Sequence, residues 1–322
     1  MKERSGKIFD RDFFTGIVIS SLAFLAVATI PVLGPIVLIF IPLPIFFYYS
    51  KLGRIRGLVV FVVSLLVLVI CFKILGSETN FFFFFLSGSL GLILSEVLRK
   101  SYSIEKTVLH SIVIFLILCS VLLIYYSVTS GQLPWNLIEH HISESIQENI
   151  RLYSQLDVPS EHIGLIKDNA NQITTTLVSL FPALFLISAS FTAWLNILAG
   201  RVIFQKSGMW YPDFGDLAQW KIPDRMIWLL IISGSLLFVP LGVLKVIALN
   251  LLMIFLFIYM FQGLAIIGFF FKKKNVPIFF RILCYFLIFA QQFLLLLVVG
   301  LGLFDVWVNF RKFNKNMRDH TV

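Results

Sequence analysis

Nine stretches of this chain are apolar over lengths that reach or approach a membrane crossing, and nothing else in it constrains the fold as much. They are 13–30, 35–49, 57–75, 80–98, 108–129, 173–199, 226–243, 247–271 and 278–304. A transmembrane helix needs about 20 mostly apolar residues. Between these runs too little polar material remains to coat a soluble fold. Of 322 residues, 59% are apolar, 35 are phenylalanine and only 13% are charged, against about a quarter in soluble domains. That excludes a soluble enzyme, a nucleic-acid module and a disordered chain. The expected fold is all-α: a polytopic transmembrane helical bundle of eight or nine spans, with residues 1–322 as a single integral membrane domain and the lipid bilayer as its solvent.

Charge sets the expected orientation. The balance is 26 Lys+Arg against 17 Asp+Glu, or +9. The basic residues cluster in the short gaps: Lys51, Arg54 and Arg56; Arg99, Lys100 and Lys106; Arg201, Lys206, Lys221 and Arg225 within the loop 201–225; and Lys272 to Lys274 with Arg281. Such gaps read as cytoplasmic loops rather than a nucleic-acid surface. The one long polar stretch, 130–170, carries six acids against Arg151 and Lys167, a net of 2 − 6 = −4, which leaves +13 for the rest. It belongs outside. Lys2, Arg4, Lys7 and Arg11 precede the first run and imitate a signal peptide, but a second apolar run begins at once after it. The run therefore reads as an uncleaved first span with a cytoplasmic N-terminus. The last run conflicts with this scheme. It starts inside, yet Arg311 and the basic tail 311–322 follow it, so either the rule is violated or one segment does not cross fully.

Ile138, Ile142, Ile146 and Ile150 recur every fourth residue in the external stretch, which predicts an amphipathic helix on the membrane surface or over the bundle mouth. His140, His141 and Glu144 share a turn of it and read as a solvated helix face rather than as metal ligands. A second helical stretch begins near Pro159-Ser160-Glu161. The phenylalanine run 81–85 reads as lipid-facing bulk. Cys71, Cys119 and Cys284 sit far apart within apolar runs and read as small buried hydrophobes.

Polar residues inside lipid are costly and so carry the information. Pro42 and Pro44, with neighbouring prolines, mark the second segment as bent or broken. Glu96, near the end of the fourth span, reads as an interfacial acid paired with Arg99 or Lys100. Ser87, Gly91 and Ser95 form a small-residue packing stripe. Ser188, Thr192, Asn196 and Gly200 form a second stripe at four-residue spacing, readable as a helix contact or as a cavity wall. Asn250 and Gln262-Gly263 punctuate the eighth span. In the final run Cys284, Ile288, Gln291, Leu295, Val298, Gly302, Asp305 and Asn309 alternate at spacings of three and four, which places them on one face of a continuous helix. Asp305 lies close enough to Arg311 for a salt-bridged cap, and the same face could line a polar interior. No metalloprotease, nucleophile-elbow, P-loop or dinucleotide motif occurs, so the reading includes no enzyme, cofactor or metal.

Pro42-Leu43-Pro44, Asn196, Trp220-Lys221-Ile222-Pro223, Asn250, Gln262-Gly263 and the string Gly302-Leu303-Phe304-Asp305-Val306-Trp307 running on to Asn309-Phe310-Arg311 together resemble the YybS-like family of uncharacterised bacterial inner-membrane proteins, over nearly the whole chain. That family is distantly similar to the substrate-binding membrane subunits of energy-coupling-factor transporters. The resemblance implies a bundle that binds a small-molecule solute from outside, with an ATPase-driven transmembrane coupling partner. Such subunits typically have six spans, and their first helix docks through an alanine-x-x-x-alanine face, for which Gly16 and Ser20 are the nearest match here. The alternative reading is a non-transporting scaffold or partner-binding protein. For solute contact the candidates are Asn196, Asn250, Gln262, Gln291, Asp305, Thr192 and Ser188. For structural or partner contact they are Gly16, Ser20, Ser87, Gly91, Ser95, Pro42, Pro44 and Arg311. An enclosed polar cavity near Asn196, Asn250 and Gln291 is what the transport reading expects.

Overall fold

The computed structural model describes residues 10–29, 38–76, 81–155, 160–240 and 242–311. Among these every regular element is helical. The chain divides into two compact units, Met1–Pro134 with Ser188–Asp213, and Trp135–Ile187 with Phe214–Val322.

The first unit contains α1 (Arg11–Thr29), α2 (Pro42–Leu52), α3 (Arg54–Ile74), α4 (Phe81–Leu98), α5 (Ile104–Ser130) and the second half of α8 (Ala170–Lys206). Pro42 opens α2, where a missing N–H costs no intrahelical bond and the fixed φ suits a first turn. The helix α2 therefore begins at its proline. The basic tail 312–322 and two of the four prolines expected to break the second span, Pro31 and Pro35, lie outside the described residues. Gly53 ends α2 at φ 86, a left-handed conformation that glycine adopts at little cost, and α3 starts at the next residue. Phe24, Ile41, Ile45, Leu68 and Phe84 are among the side chains at the centre of this unit. The phenylalanine run is thus not uniformly lipid-facing. Phe81 and Phe82 are exposed, whereas Phe84 is buried against Phe24, with ring centroids 5.8 Å apart.

The second unit contains most of α6 (Pro134–Ser154), α7 (Ser160–Asp168), the first half of α8, a 3-10 turn at Leu217–Gln219, α9 (Met226–Leu236), α10 (Gly242–Lys273), α11 (Ile278–Ala290) and α12 (Gln292–Val308). The amphipathic helix expected around 138–150 is α6, with its four isoleucines half-buried.

Five helices, α3, α4, α5, α8 and α10, are long and apolar enough to cross a membrane. A sixth span results if α11 and α12 count together. The eight or nine spans expected from hydropathy are not reached among the described residues. Two expected segments form helices of only 11 residues, α2 and α9, each about 16 Å long and so about half of the hydrocarbon thickness. The final run is not one helix either. It bends by 104° between α11 and α12, where Gln291 takes an extended backbone (φ −114, ψ 111). The single face drawn from Cys284 to Asn309 is therefore interrupted at Gln291. Large apolar side chains such as Ile117, Phe238 and Phe286 point outward, an arrangement that water would penalise and acyl chains do not.

Candidate functional site

Three separate strings of the sequence meet in the second unit. Asp305, fully buried on α12, accepts from three donors. The Arg311 guanidinium lies 2.8 Å from Oδ2, the Gln262 amide 3.0 Å from the same oxygen, and the Phe310 backbone N–H donates to Oδ1 at 2.8 Å. Gln262 is also fully buried, and its Oε1 accepts from the Ile222 N–H at 3.1 Å. Arg311 donates further to the carbonyls of Trp220 (2.7 Å) and Ala218 (3.3 Å). The salt-bridged cap is thus present, but it is one part of a larger clasp. A buried carboxylate needs that number of partners, because desolvation outweighs a lone ion pair.

The loop before α9 is held a second time. Lys272 pairs with Asp216 at 2.5 Å, and Asp216 caps the 3-10 turn by accepting from the Ala218 N–H at 3.0 Å. The Lys272 ammonium holds the Asp216 carboxyl below the usual aspartate range, with the Ala218 N–H adding to the shift. Segment 216–220 therefore touches both the C-terminal end of α10 and Arg311, three residues past the end of α12.

Glycine makes this approach achievable. A Cβ at Gly302 would overlap the Tyr259 carbonyl oxygen, and one at Gly263 would overlap that of Val298. Residue numbers rise along α10 as they fall along α12, so the helices run antiparallel with backbones in contact. Gly302→Ala is expected to cost about 1–3 kcal/mol, because the obstructing atoms are backbone and cannot rotate away. Gly300→Ala, on the same helix with nothing within 4 Å of the new methyl, costs nothing and gains helix propensity. Thermal melts of the two variants in detergent check this, and equal melting temperatures would remove the close contact.

Asn250 bonds to the backbone of α8. Pro182 stands inside α8, where it deletes a backbone donor and disturbs the turn before it. The Ala183 N–H and the Ser179 carbonyl are the pair that an uninterrupted helix joins directly. Here they are joined through Asn250. Its Oδ1 accepts from Ala183 N–H at 2.9 Å, and its Nδ2 donates to the Ser179 carbonyl at 2.8 Å and to the Val246 carbonyl at 2.8 Å. Its carboxamide is occupied within the protein. The signal that could have found this was Pro182 itself, inside an otherwise helical apolar run.

In the first unit Asn196 is fully buried. Its Nδ2 donates to the Ile39 and Thr192 carbonyls at 2.7 Å each, while its Oδ1 has no hydrogen-bond partner among the described residues. Gly200, one turn on, packs on the Phe46 ring. Ser188 does not share this stripe's burial, being exposed. On α4 the stripe Ser87, Gly91, Ser95 is a packing face. Gly91 meets the Pro42 carbonyl, Ser95 hydrogen-bonds Ser50, and Pro44 is half-buried in the first turn of α2. Gly16 packs on Tyr48, and Ser20 is fully buried, so the face expected to dock a partner is covered inside this unit. Glu96 pairs across helices, not only along its own. Arg54 grips it at 2.9 and 2.7 Å and Tyr49 donates at 2.8 Å, whereas Arg99 stands at 3.9 Å.

Gln291 is exposed at the bend beside Gln292. Below it, α11 and α12 flank an open groove of about 390 Å³ whose lining, including Leu287, Ile288, Leu294 and Val298, is apolar. On α6, His140 Nδ1 lies 3.2 Å and His141 Nδ1 3.5 Å from one oxygen, Glu144 Oε2.

No solved structure matches the chain. It is 25% identical over 304 residues to the uncharacterized protein YybS of Bacillus subtilis (strain 168), an alignment covering 89% of this chain and 92% of that one. The family described as "Predicted membrane protein (DUF2232)" matches residues 18–306. That span takes in the clasp's Gln262 and Asp305, Asn250 and its proline gap, and the close glycines, so the chain belongs to the DUF2232 family of membrane proteins.

Proposed function

We propose that this chain is a non-enzymatic, multi-pass subunit of the bacterial inner membrane that works by holding a partner membrane protein. The observation that carries the reading is how the intramembrane amides are used. Asn250 and Gln262 have both ends of their carboxamides bonded within the chain, and Asp305 is closed off by three donors. The outward-facing amides at the bend are Gln291 and Gln292. In lipid such groups favour a partner that supplies hydrogen bonds, and the apolar groove beside them suits a neighbouring helix.

The topology that goes with this reading places the basic tail on the cytoplasmic side. Lys245 stands exposed in the first turn of α10. Seventeen residues on, Gln262 lies about 25 Å along the axis, near the opposite edge of the hydrocarbon. Lys272 to Lys274 then fall on the cytoplasmic side by the positive-inside rule. Arg311 bonds to the loop that Lys272 anchors, and the basic residues that follow it are assigned to the same side as Lys272 to Lys274 by the same rule.

A second reading, the solute-binding subunit with an ATPase-driven partner, is favoured by the Oδ1 of Asn196, which has no hydrogen-bond partner among the described residues. One experiment separates the two and tests the topology. The chain is purified in mild detergent through a C-terminal fluorescent protein that matures only in the cytoplasm, and whatever copurifies is identified by mass spectrometry. The expected result is fluorescence and a stoichiometric membrane partner lost in Gln291→Leu/Gln292→Leu. A bound small solute without a partner would overturn the first reading, and a dark fusion would overturn the topology.

A further inference from the structure

We propose that His140, His141 and Glu144 on α6 form a binding site for a divalent transition-metal ion of the Zn²⁺ or Cu²⁺ class. All three ligand atoms lie within 4.8 Å of one another, and both imidazole Nδ1 atoms converge on the same Glu144 oxygen, at 3.2 and 3.5 Å. An ion bonded at about 2.0–2.2 Å to each of three ligands in tetrahedral array separates them by roughly 3.3–3.5 Å, so two of the three separations already suit it. The pattern follows from helix geometry. Residues 140 and 144 are four apart and 141 and 144 three apart, so both histidines flank the glutamate on one turn.

Two nitrogens and one carboxylate select the borderline metals over Ca²⁺ and Mg²⁺, which take oxygen. Water fills the remaining position. The half-buried isoleucines Ile138, Ile142, Ile146 and Ile150 occupy a different stripe of α6, so the helix can hold an ion while keeping its apolar side covered. The net charge of −4 over 130–170 raises the local cation concentration.

The test uses the full chain in detergent, free of any polyhistidine sequence, titrated calorimetrically with Zn²⁺ and spectroscopically with Co²⁺. One saturable equivalent is expected, with absorption bands of a low-coordinate cobalt site and no competition from millimolar Mg²⁺. The H140A/H141A double variant is expected to weaken binding by about tenfold or more, with unchanged helicity because both side chains are exposed. Absence of saturable binding, or equal affinity in the double variant, would overturn the site.

Discussion

Asp305→Ala is expected to destabilise the second unit by about 3–5 kcal/mol, the cost of removing one partner of a buried ion pair. The loss exceeds that of a surface pair because of what is left behind. Arg311 has a side chain only 11% exposed, and without the carboxylate its charge stays buried with only the Trp220 and Ala218 carbonyls. Gln262 loses the acceptor of its amide, and the Phe310 N–H loses its own. Asp305→Asn keeps the volume and one acceptor but not the charge, so it falls between wild type and alanine. Arg311→Lys is not conservative here, since an ammonium cannot spread planar donors over a carboxylate and two carbonyls. Thermal unfolding in detergent with limited proteolysis of the 207–225 loop reads the effect. If Asp305→Ala melts with wild type and the loop stays protected, the clasp does not hold that loop.

Asn250→Leu is expected to cost about 2–4 kcal/mol. Two backbone groups in α8, the Ala183 N–H and the Ser179 carbonyl, lose their partner in a setting where water does not replace it. Each orphaned group is worth about 1–3 kcal/mol, and local relaxation recovers part of the sum. Bonds between side chains in membranes are individually small, so the larger share comes from the backbone pair. Pro182→Ala restores the direct bond between residues 183 and 179 and makes the carboxamide dispensable. The double variant Pro182→Ala/Asn250→Leu is therefore expected to recover at least about 1 kcal/mol relative to additivity, within the range of coupled neighbours. Strict additivity of the two substitutions would show that Asn250 does not serve the proline gap.

Both expectations concern residues that the sequence marks as unusual without saying why. Asn250 is a costly amide in an apolar run, and its neighbours along the chain contain nothing that explains it. The reason lies about 70 positions away, at Pro182. Glu96 shows the same limit at smaller scale. Its nearby basic residues suggested a partner along the helix, yet the closer contact comes from Arg54 on another helix. The final run fails differently. The alternation from Cys284 to Asn309 is real as a pattern, but a periodicity argument assumes one unbroken helix, and an extended Gln291 divides it. For α9, hydropathy counted apolar residues and not helical ones, so a short helix and turns were read as a span.

The amino-acid sequence determined that this protein dissolves in lipid, that its elements are helices, that α6 is amphipathic, and that Ser87, Gly91 and Ser95 pack. Each follows from composition or from a period of 3.6 residues, which are properties of a segment alone. The tertiary structure decided which amide answers which broken backbone bond, that the last apolar run is bent at Gln291, and that Ala218, Trp220, Ile222, Gln262, Asp305 and Arg311 form one assembly. Those are matters of which helix lies opposite which. A helix pattern specifies the face that will be covered, but the covering partner is chosen by packing and hydrogen-bond satisfaction among residues distant in the chain.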